Sequence, residues 1–522
     1  MPTTITVCDG ATTIGGNKIL LESDGRALFF DFGLCYSKYG DYYAEFLTPK
    51  SVRGIYDFLV MGLLPPIKGI YREELIPGAP LEGRLFPERA RELEVNAILL
   101  SHAHGDHIGY VSFVRSDIPI VCSPVTAFAA KAIQDAAKSD VQSEFCYTKP
   151  KTSNESGTIS SLRGGSAVQR PFKLFGLRDE LSNKALEFWK SKFTSTGELQ
   201  SLNPEPCRDV AGLRVCSYPV DHSIYGASAF AVETSDGWVV YTGDLRMHGK
   251  NGRLTQDFVE AAAKLEPVAL IVEGTHVNAE THTLEETARD NCLSAVRAAD
   301  GKLVIADFGP RNVERLESFL DIARETNRLL VIMGKDALLL HAMHLVDPEV
   351  PDSPADPLIC IYDEPRGKSD GWLKWVCEQM RGKLVSPEDI RNSPGKYILC
   401  FSFFDINDLA EIAPENGGVY IYSNSKLYDE EQEIDFGRLR NWLDRFGLTL
   451  IGDPEDESSN KLYHASGHIS GPELEKLVRT IDPKALIPVH TEPKDSYDWF
   501  DSTFSRDLYV IFPEEMQPIS LR

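Results

Sequence analysis

Residues 99–109 read Leu99-Leu100-Ser101-His102-Ala103-His104-Gly105-Asp106-His107-Ile108-Gly109, which places three histidines and an aspartate directly after an apolar run. Neutral imidazole and carboxylate groups are side chains that bind zinc near neutral pH. Alternate side chains share one side of an extended backbone, so His102 and His104 can face the same ion. Asp106 and His107 follow and can reach a second ion. Two adjacent metal ions suit hydrolysis, because both the attacking and the leaving oxygen can then be stabilised.

A chance cluster of structural histidines is the competing interpretation of this segment. A lone histidine usually lies on the surface or in a satisfied hydrogen bond of the core. Four potential ligands within six residues are improbable by chance. We therefore interpret residues 102–107 as a metal-binding motif whose partners must be sought elsewhere in the chain.

The composition is that of a globular chain with more than one packed unit. Its 522 residues exceed one ordinary domain, and 42% of them are hydrophobic and 25% charged. The N-terminal residues lack the pattern of a signal peptide, and no apolar run is long enough to cross a bilayer. The 10 cysteines form no Cys-x-x-Cys pair, which favours reduced thiols and a cytoplasmic protein with no membrane partner.

The net charge of −24 argues against broad nonspecific adhesion to nucleic acid. It does not exclude a nuclease, since a local basic channel or bound cations can hold phosphates on an acidic protein. An ordinary solvated surface is our favoured interpretation for each basic residue that could line such a channel. These residues are Lys149, Lys151, Arg163 and Arg170.

Strand and helix patterns indicate one domain inserted within another. Short β runs broken by Gly and Asp turns begin the chain, and the apolar run 97–100 delivers the histidine motif to a loop. From about residue 301 strand and helix patterns alternate, which indicates a parallel α/β unit. This unit separates the elements at 102–244 from another histidine cluster at 464–490. We predict an α/β fold in which 1–290 and 451–522 form one domain and 291–450 forms the other.

Further potential ligands stand just after predicted strands. His222, Asp244 and His490 each follow a short apolar run, and side chains collected at strand ends commonly build the site of an α/β scaffold. Asp244 or His490 alone would be interpreted as structural. Together with residues 102–107 they predict a closed site with two metals, in which the Asp244 carboxylate can bridge both ions.

The segment His464-Ala465-Ser466-Gly467-His468-Ile469-Ser470-Gly471-Pro472-Glu473 combines histidines with the start of a helix. Ser470 and Glu473 form a capping box, and proline suits the first turn. An ordinary helix cap explains these residues but not His464, Ser466 and His468. Because free N–H groups at a helix N-terminus favour a phosphate, the segment predicts a phosphate-binding element.

These motifs resemble those of the metallo-β-lactamase superfamily, its β-CASP branch of nucleases, and most of all the ribonuclease J-type RNases. The matching pieces are 101–107, 220–223, 241–244, 272–275, 466–470 and 488–492, of which the last three resemble motifs A, B and C. The resemblance implies a metallo-β-lactamase αββα sandwich with an inserted β-CASP α/β domain. It covers most of the chain, but the extra C-terminal domain of ribonuclease J has no counterpart after residue 490.

The resemblance also implies roles for individual residues. One zinc ion would be held by His102, His104 and His222. The other would be held by Asp106, His107 and His490, with Asp244 bridging both ions. The catalytic residues would be Asp106, Glu273 and His468, with Glu273 orienting His468 to protonate the leaving oxygen. The scissile phosphate would contact His464, Ser466 and Gly467.

We predict from the residues and the resemblance a zinc-dependent ribonuclease with two zinc ions that cleaves single-stranded RNA as an exo- or endonuclease. A histidine in motif C, His490, is the form associated with RNA-directed members of the branch. The segment 401–405 departs from the family at the pocket for the RNA 5′ end, which leaves the polarity of cleavage open. The resemblance also allows a homodimer.

Three alternatives stay open on the sequence alone. The first is a DNA nuclease of the same fold. The second is a metallohydrolase of small esters, against which the intact motifs A, B and C argue. The third is a non-catalytic RNA-binding scaffold, a class that commonly loses metal ligands, whereas none is lost here.

Overall fold

The structure, a computed structural model, describes residues 2–44, 46–78, 85–88, 90–154, 157–162, 164–177, 180–193, 198–366, 370–427 and 430–521. Within these ranges two mixed sheets pack face to face, and a parallel sheet with its own helices lies beside them. This arrangement is the predicted sandwich with an inserted α/β unit. The fold class predicted from the sequence is therefore confirmed.

The first sheet carries the N-terminal part of the chain. The hairpin of residues 18–30 closes through Asp24 and Gly25, whose φ angles of 53° and 74° fit a two-residue turn with both φ positive. The strands, in spatial order, are β12 (Glu205–Pro206), β10 (Phe172–Leu174), β5 (Ile120–Cys122), β4 (Ala97–Leu99), β3 (Arg26–Phe30), β2 (Lys18–Ser23), β1 (Thr4–Asp9) and β26 (Pro518–Ser520).

The second sheet faces the first across a buried apolar layer. Phe30 of the first sheet meets Tyr241 of the second with ring centroids 5.0 Å apart. The strands, in spatial order, are β13 (Val215–Pro219), β14 (Ser228–Thr234), β15 (Gly237–Tyr241), β16 (Ala269–Glu273), β24 (Ala485–Val489) and β25 (Tyr509–Val510). β16 lies between parallel neighbours and is buried along its whole length, as its apolar sequence requires.

The third sheet is parallel throughout. Its strands, in spatial order, are β20 (Leu384–Val385), β19 (Ile359–Tyr362), β18 (Leu329–Ile332), β21 (Tyr397–Cys400), β17 (Leu303–Asp307), β22 (Gly418–Tyr422) and β23 (Leu448–Ile451). The sheet runs from residue 303 to 451, close to the predicted limits of the inserted domain. The exact boundaries at 290 and 450 stay a prediction.

Two smaller sheets lie in the long segment that precedes β13. One pairs β11 (Leu199–Gln200), β9 (Ala167–Gln169) and β6 (Tyr147–Thr148), and the other pairs β7 (Lys151–Ser153) with β8 (Ile159–Ser161).

Helices cover the outer faces of all three large sheets. In chain order they are α1 (Tyr36–Gly40), α2 (Tyr56–Val60), α3 (Gly105–Ile108), α4 (Pro124–Ala136), α5 (Asn183–Lys190), α6 (Gly252–Ala263), α7 (Glu285–Ala298), α8 (Val313–Glu325), α9 (Gly334–His344), α10 (Gly371–Gln379), α11 (Pro387–Asn392), α12 (Leu409–Ile412), α13 (Glu430–Phe446), α14 (Glu457–Tyr463), α15 (Gly471–Ile481) and α16 (Pro493–Phe504). In the described part of the chain, every helix is too short or too polar to span a lipid bilayer.

One apolar cluster joins the outer face of the first sheet to the third sheet. It contains Phe29 and Ile98 of the first sheet, Phe128 of α4, and Leu330 and Leu338 of the inserted unit, all of them buried. The helices α4 and α9 make the main contact between the two units. The carboxyl end of β17 consequently lies beside the histidine loop that follows β4, as the Arg311–Ala103 contact shows.

Candidate metal centre and catalytic site

The histidine loop between β4 and α3 is held by the loop that follows β3. The Asp31 carboxylate accepts hydrogen bonds of 2.7 Å from the Ser101 N–H and of 2.7 Å from its hydroxyl. Gly33 packs so tightly that a Cβ atom there would lie 1.6 Å from the Asp106 carbonyl oxygen. Since any side chain at Gly33 would displace the α3 turn, glycine is needed at this position to place Asp106 and His107.

The first group of candidate metal ligands consists of His102, His104 and His222. His104 Nδ1 lies 3.1 Å from His102 Nε2 and 3.1 Å from His222 Nε2. Burial lowers the pKa of His104 to about 4 and the pKa values of the other two well below 6.5. The imidazoles are therefore neutral, and their nitrogen lone pairs converge on one point where a cation can be bound.

The second group consists of Asp106, His107, Asp244 and His490. Asp244 Oδ2 lies 3.1 Å from His107 Nε2 and 3.6 Å from His490 Nε2, and Asp106 Oδ2 lies 3.2 Å from His490 Nε2. The other oxygen of Asp244, Oδ1, is buried without a hydrogen-bond partner. A buried carboxylate oxygen that lacks a partner fits a bound cation.

Both groups fit zinc in donor type and spacing. Zn–N and Zn–O bonds are about 2.0–2.2 Å long, so neighbouring donors of one tetrahedral ion lie about 3–4 Å apart. The donor atoms of each group lie within 4.8 Å of one another. Asp244 Oδ2 is also 3.8 Å from His102 Nε2 and 3.9 Å from His222 Nε2, so it stands between the two groups.

The candidate ligands are oriented by buried hydrogen bonds from their other ring nitrogens. Asp31 accepts at 2.7 Å from His107 Nδ1, and the Gly467 carbonyl accepts at 2.6 Å from His222 Nδ1. The Thr275 hydroxyl lies 2.9 Å from His490 Nδ1. Such partners fix the ring and the tautomer of metal-binding histidines. Our sequence analysis missed Asp31 and Thr275, although Asp31 follows an apolar strand just as Asp244 does.

Beside the second group lies an imidazole–carboxylate pair. His468 Nδ1 is 2.7 Å from Glu273 Oε2, and Glu273 also accepts from the Leu245 N–H at 2.8 Å and the Thr275 hydroxyl at 2.8 Å. Burial opposes protonation of His468, but the Glu273 carboxylate outweighs burial and raises its pKa to about 9. The pair can therefore hold a proton at neutral pH within 4.8 Å of the donor atoms of Asp244 and His490.

The predicted phosphate-binding residues adjoin this pair. Ser466 Oγ accepts from the His468 N–H at 3.0 Å and lies 2.9 Å from His276 Nδ1. His464 Nδ1 is buried without a hydrogen-bond partner, and burial followed by the nearby Arg315 charge lowers the His464 pKa to about 3. The capping box between Ser470 and Glu473 is present at the start of α15. Contact of these residues with a phosphate stays a prediction.

Two buried arginines hold the loop 463–466 from behind. Arg246 Nη1 donates to the Ser466 carbonyl at 3.0 Å, and Arg315 Nη1 donates to the Tyr463 carbonyl at 2.9 Å. The Glu285 carboxylate joins them, at 2.9 Å from Arg246 and 2.7 Å from Arg315. Because these residues come from distant parts of the chain, no local pattern pointed to them.

The basic residues interpreted as an ordinary solvated surface have partners within the protein, and that interpretation was wrong for Arg170, which is buried. Arg170 is fully buried and donates to the carbonyls of Val111 and Val114 at 3.0 and 2.6 Å. Lys151 pairs with Glu144 at 2.9 Å. Lys149 donates to a serine hydroxyl at 2.6 Å. Arg163 lies outside the described residues.

The fold and the site are those of a metal-dependent hydrolase, and they resemble the metallo-β-lactamase type. Residues 460–500 match the family described as the Zn-dependent metallo-hydrolase RNA specificity domain. This range contains His464, Ser466, His468 and His490. It also contains α15, which packs on the second sheet.

More specifically, the chain resembles ribonuclease J along most of its length, as predicted. It is 23% identical over 510 residues to "Ribonuclease J" of Mycoplasma genitalium, covering 94% of this chain and 68% of that protein. It is 23% identical over 506 residues to "Ribonuclease J" of Pyrococcus abyssi, covering 92% of this chain and 88% of that protein.

Coverage of the curated relatives varies with their own length. The match to "Ribonuclease J" of Mycoplasma pneumoniae is 20% identical and covers 77% of this chain but only 58% of that protein. Among solved structures, a protein of unknown function from Enterococcus faecalis V583 covers 100% of both chains with a TM-score of 0.67 and 21% identity. This likeness supports the fold alone.

Proposed function

We propose that this protein is a zinc-dependent ribonuclease that hydrolyses phosphodiester bonds of single-stranded RNA. The observation that carries the proposal is the His468–Glu273 pair, which lies against the two groups of candidate metal ligands. A metallohydrolase of small esters would use the two groups but would have no need of a separate proton donor. The match of residues 460–500 to an RNA specificity domain supports RNA as the substrate.

In this proposal His102, His104 and His222 hold one zinc ion, while Asp106, His107 and His490 hold the other. Asp244 would contribute its carboxylate to both, as its position between the two groups allows. Two bound zinc ions would supply an activated water and neutralise charge on the phosphate. The neutral imidazoles are ready to coordinate, since burial has already disfavoured their protonated forms.

The chain's own catalytic step is a proton transfer from His468. Its Nδ1 is held by Glu273, so the other nitrogen, Nε2, is the one free to donate a proton to the departing 3′-oxygen as the P–O bond breaks. Glu273 stabilises the imidazolium before the transfer and keeps the ring in place. Ser466, His464 and the Gly467 backbone, beside the start of α15, would hold the scissile phosphate.

A comparison of RNA with DNA separates this proposal from a DNA nuclease of the same fold. We expect zinc-loaded protein to cleave a single-stranded RNA oligonucleotide at least about tenfold faster than DNA of the same sequence. The reason is that a protein can distinguish RNA from DNA by contacts with the 2′-hydroxyl group. Initial rates on end-labelled strands measure the difference, and p-nitrophenyl acetate serves as the small-ester control. Equal or faster DNA cleavage would indicate a DNA nuclease, and ester hydrolysis alone a small-ester hydrolase.

The proposal includes a cytoplasmic location, in keeping with the free cysteines of the described chain. A homodimer and the direction of cleavage stay predictions. Light scattering on the zinc-loaded protein measures whether it is a dimer. Cleavage of RNA that is labelled at either end, and that carries a 5′-monophosphate, 5′-triphosphate or 5′-hydroxyl, measures the direction of cleavage.

A further inference from the structure

Arg311 is a basic side chain that the inserted unit places against the histidine loop. It lies between β17 and α8, and its Nη1 donates to the Ala103 carbonyl at 3.0 Å. Ala103 stands between His102 and His104 in the first ligand group. The guanidinium is therefore a direct neighbour of the candidate metal centre, although it belongs to the parallel sheet.

Arg311 makes no direct ion pair in the part of the chain that the structure describes. Within the described residues no aspartate or glutamate oxygen forms an ion pair with it within 4.0 Å, whereas Arg246 and Arg315 are both paired. Burial lowers the pKa of Arg311 below its usual range, and the Asp106 carboxylate offsets this only in part. The guanidinium nevertheless stays protonated, because arginine does not lose its proton in proteins.

The remaining N–H groups of Arg311 are available to a ligand. A guanidinium carries five N–H donors in a planar fork, and among the described residues Arg311 donates a single hydrogen bond, to Ala103. None of its nitrogens is both sealed from solvent and without a partner. The Ala103 contact alone does not require a charge, since a neutral amide could make it.

The Arg311 nitrogens that lack a protein partner are accessible to solvent, so an anion can replace the water around them. The chain as a whole carries a net charge of −24, so this cation is not part of a general basic surface. The planar fork of arginine matches two oxygens of a phosphate. Arg311 thus has the charge, the free donors and the position to bind an anionic substrate beside the metal centre.

We propose that Arg311 binds a backbone phosphate of the RNA next to the linkage that is cleaved. This inference rests on the proposed function and adds a substrate contact to it. The contact comes from the inserted unit, while the ligands on its other side come from the sandwich. RNA bound in this way bridges the two units across the histidine loop.

The test measures RNA binding rather than cleavage. In zinc-loaded protein that carries His468→Ala, the dissociation constant of a single-stranded RNA is measured by fluorescence anisotropy over a range of salt concentrations. Adding Arg311→Gln is expected to weaken binding about tenfold or more, and to lower the slope of log K against log salt by about 0.7, the value of one phosphate contact on a single strand.

Two further variants make the comparison specific. Arg311→Lys is expected to keep the slope, because it keeps the charge. Arg324→Gln, at the far end of α8 and 56% exposed, is the matched control and should leave slope and affinity unchanged. The glutamine of Arg311→Gln can still donate to the Ala103 carbonyl. The zinc content and melting temperature of this variant should therefore equal those of the His468→Ala protein.

RNA with one uncharged methylphosphonate linkage provides a second measurement that does not depend on how the variant folds. In protein that retains Arg311, a methylphosphonate at one position beside the cleavage site should lower the slope of log K against log salt by about 0.7. In the Arg311→Gln variant, a methylphosphonate at the same position should have no further effect. The inference would be overturned if Arg311→Gln left the salt slope of RNA binding unchanged. It would also be overturned if no methylphosphonate position lowered the slope in protein that retains Arg311. A parent protein that binds no RNA at all would instead overturn the proposed function.

Discussion

Replacing His468 by alanine is expected to lower kcat for RNA cleavage by about 10²–10⁴-fold, the usual contribution of a general acid. The reason is the hydrogen bond of 2.7 Å to Glu273, which holds the imidazole protonated beside the ligand groups. The alanine variant should retain its zinc, since His468 lies outside both predicted ligand sets. Initial cleavage rates and zinc content per chain, measured on the same samples, test this.

The chemistry of the leaving group distinguishes a proton donor from a merely structural histidine. A phosphodiester with a p-nitrophenolate leaving group needs no protonation, so the His468→Ala variant should lose much less activity on it than on RNA. His344→Ala, a partly exposed histidine of α9, is the control and should leave both activities unchanged. Equal losses on the two substrates would contradict the assigned role.

Asp244→Asn is expected to have the other large effect, because it removes the charge that stands between the two ligand groups. Asp244 Oδ2 lies 3.1 Å from His107, 3.6 Å from His490 and 3.8 Å from His102. Without this carboxylate, both ions lose a shared anionic ligand. We expect zinc content to fall from two ions per chain to one or fewer, and kcat to fall on the order of 10³-fold, equal to several kcal/mol.

Metal analysis by inductively coupled plasma mass spectrometry, together with cleavage rates, measures the effect of Asp244→Asn. The matched control is Asp257→Asn on α6, whose side chain is 55% exposed and distant from the ligands in the fold. The control should retain two zinc ions and full activity. Retention of both ions in Asp244→Asn would show that the carboxylate does not bridge them.

The sequence predicted those parts of the site that follow from local motifs. Residues 102–107 lie on one turn after β4, so their grouping follows from chain geometry. The alternation of strands and helices after residue 301 predicted the parallel sheet. The motifs at 220–223, 241–244 and 488–490 stand at the ends of β13, β15 and β24 of the second sheet, and the structure brings His222, Asp244 and His490 to the histidine loop.

The contacts that orient the ligands could not be predicted, because they join residues far apart in the chain. Asp31 meets His107 across 76 positions, and Arg311 meets Ala103 across 208. Such contacts depend on the packing of the two sheets and of α4 on α9, which no local pattern encodes. Sequence patterns report which side chains can bind a metal but not which buried carboxylate orients them.

One local sequence pattern, a capping box, does not form its expected hydrogen bonds for the same reason. Thr283-Leu284-Glu285-Glu286 reads as a capping box, but α7 begins at Glu285 with Leu284 in the capping position. The Thr283 hydroxyl instead donates to the Lys461 carbonyl at 2.5 Å. Glu285 is bound by the two arginines behind the loop 463–466, so tertiary contacts outweigh the local cap.

Removal and return of zinc tests the central claim most directly. End-labelled single-stranded RNA is incubated with zinc-loaded protein, with protein stripped by a chelator, and with stripped protein to which two equivalents of zinc are returned. The account predicts cleavage by the loaded protein, loss of cleavage on stripping, and recovery that is complete only after the second equivalent. Cleavage that persists in fully stripped protein, or no cleavage of RNA by protein holding two zinc ions, would contradict it.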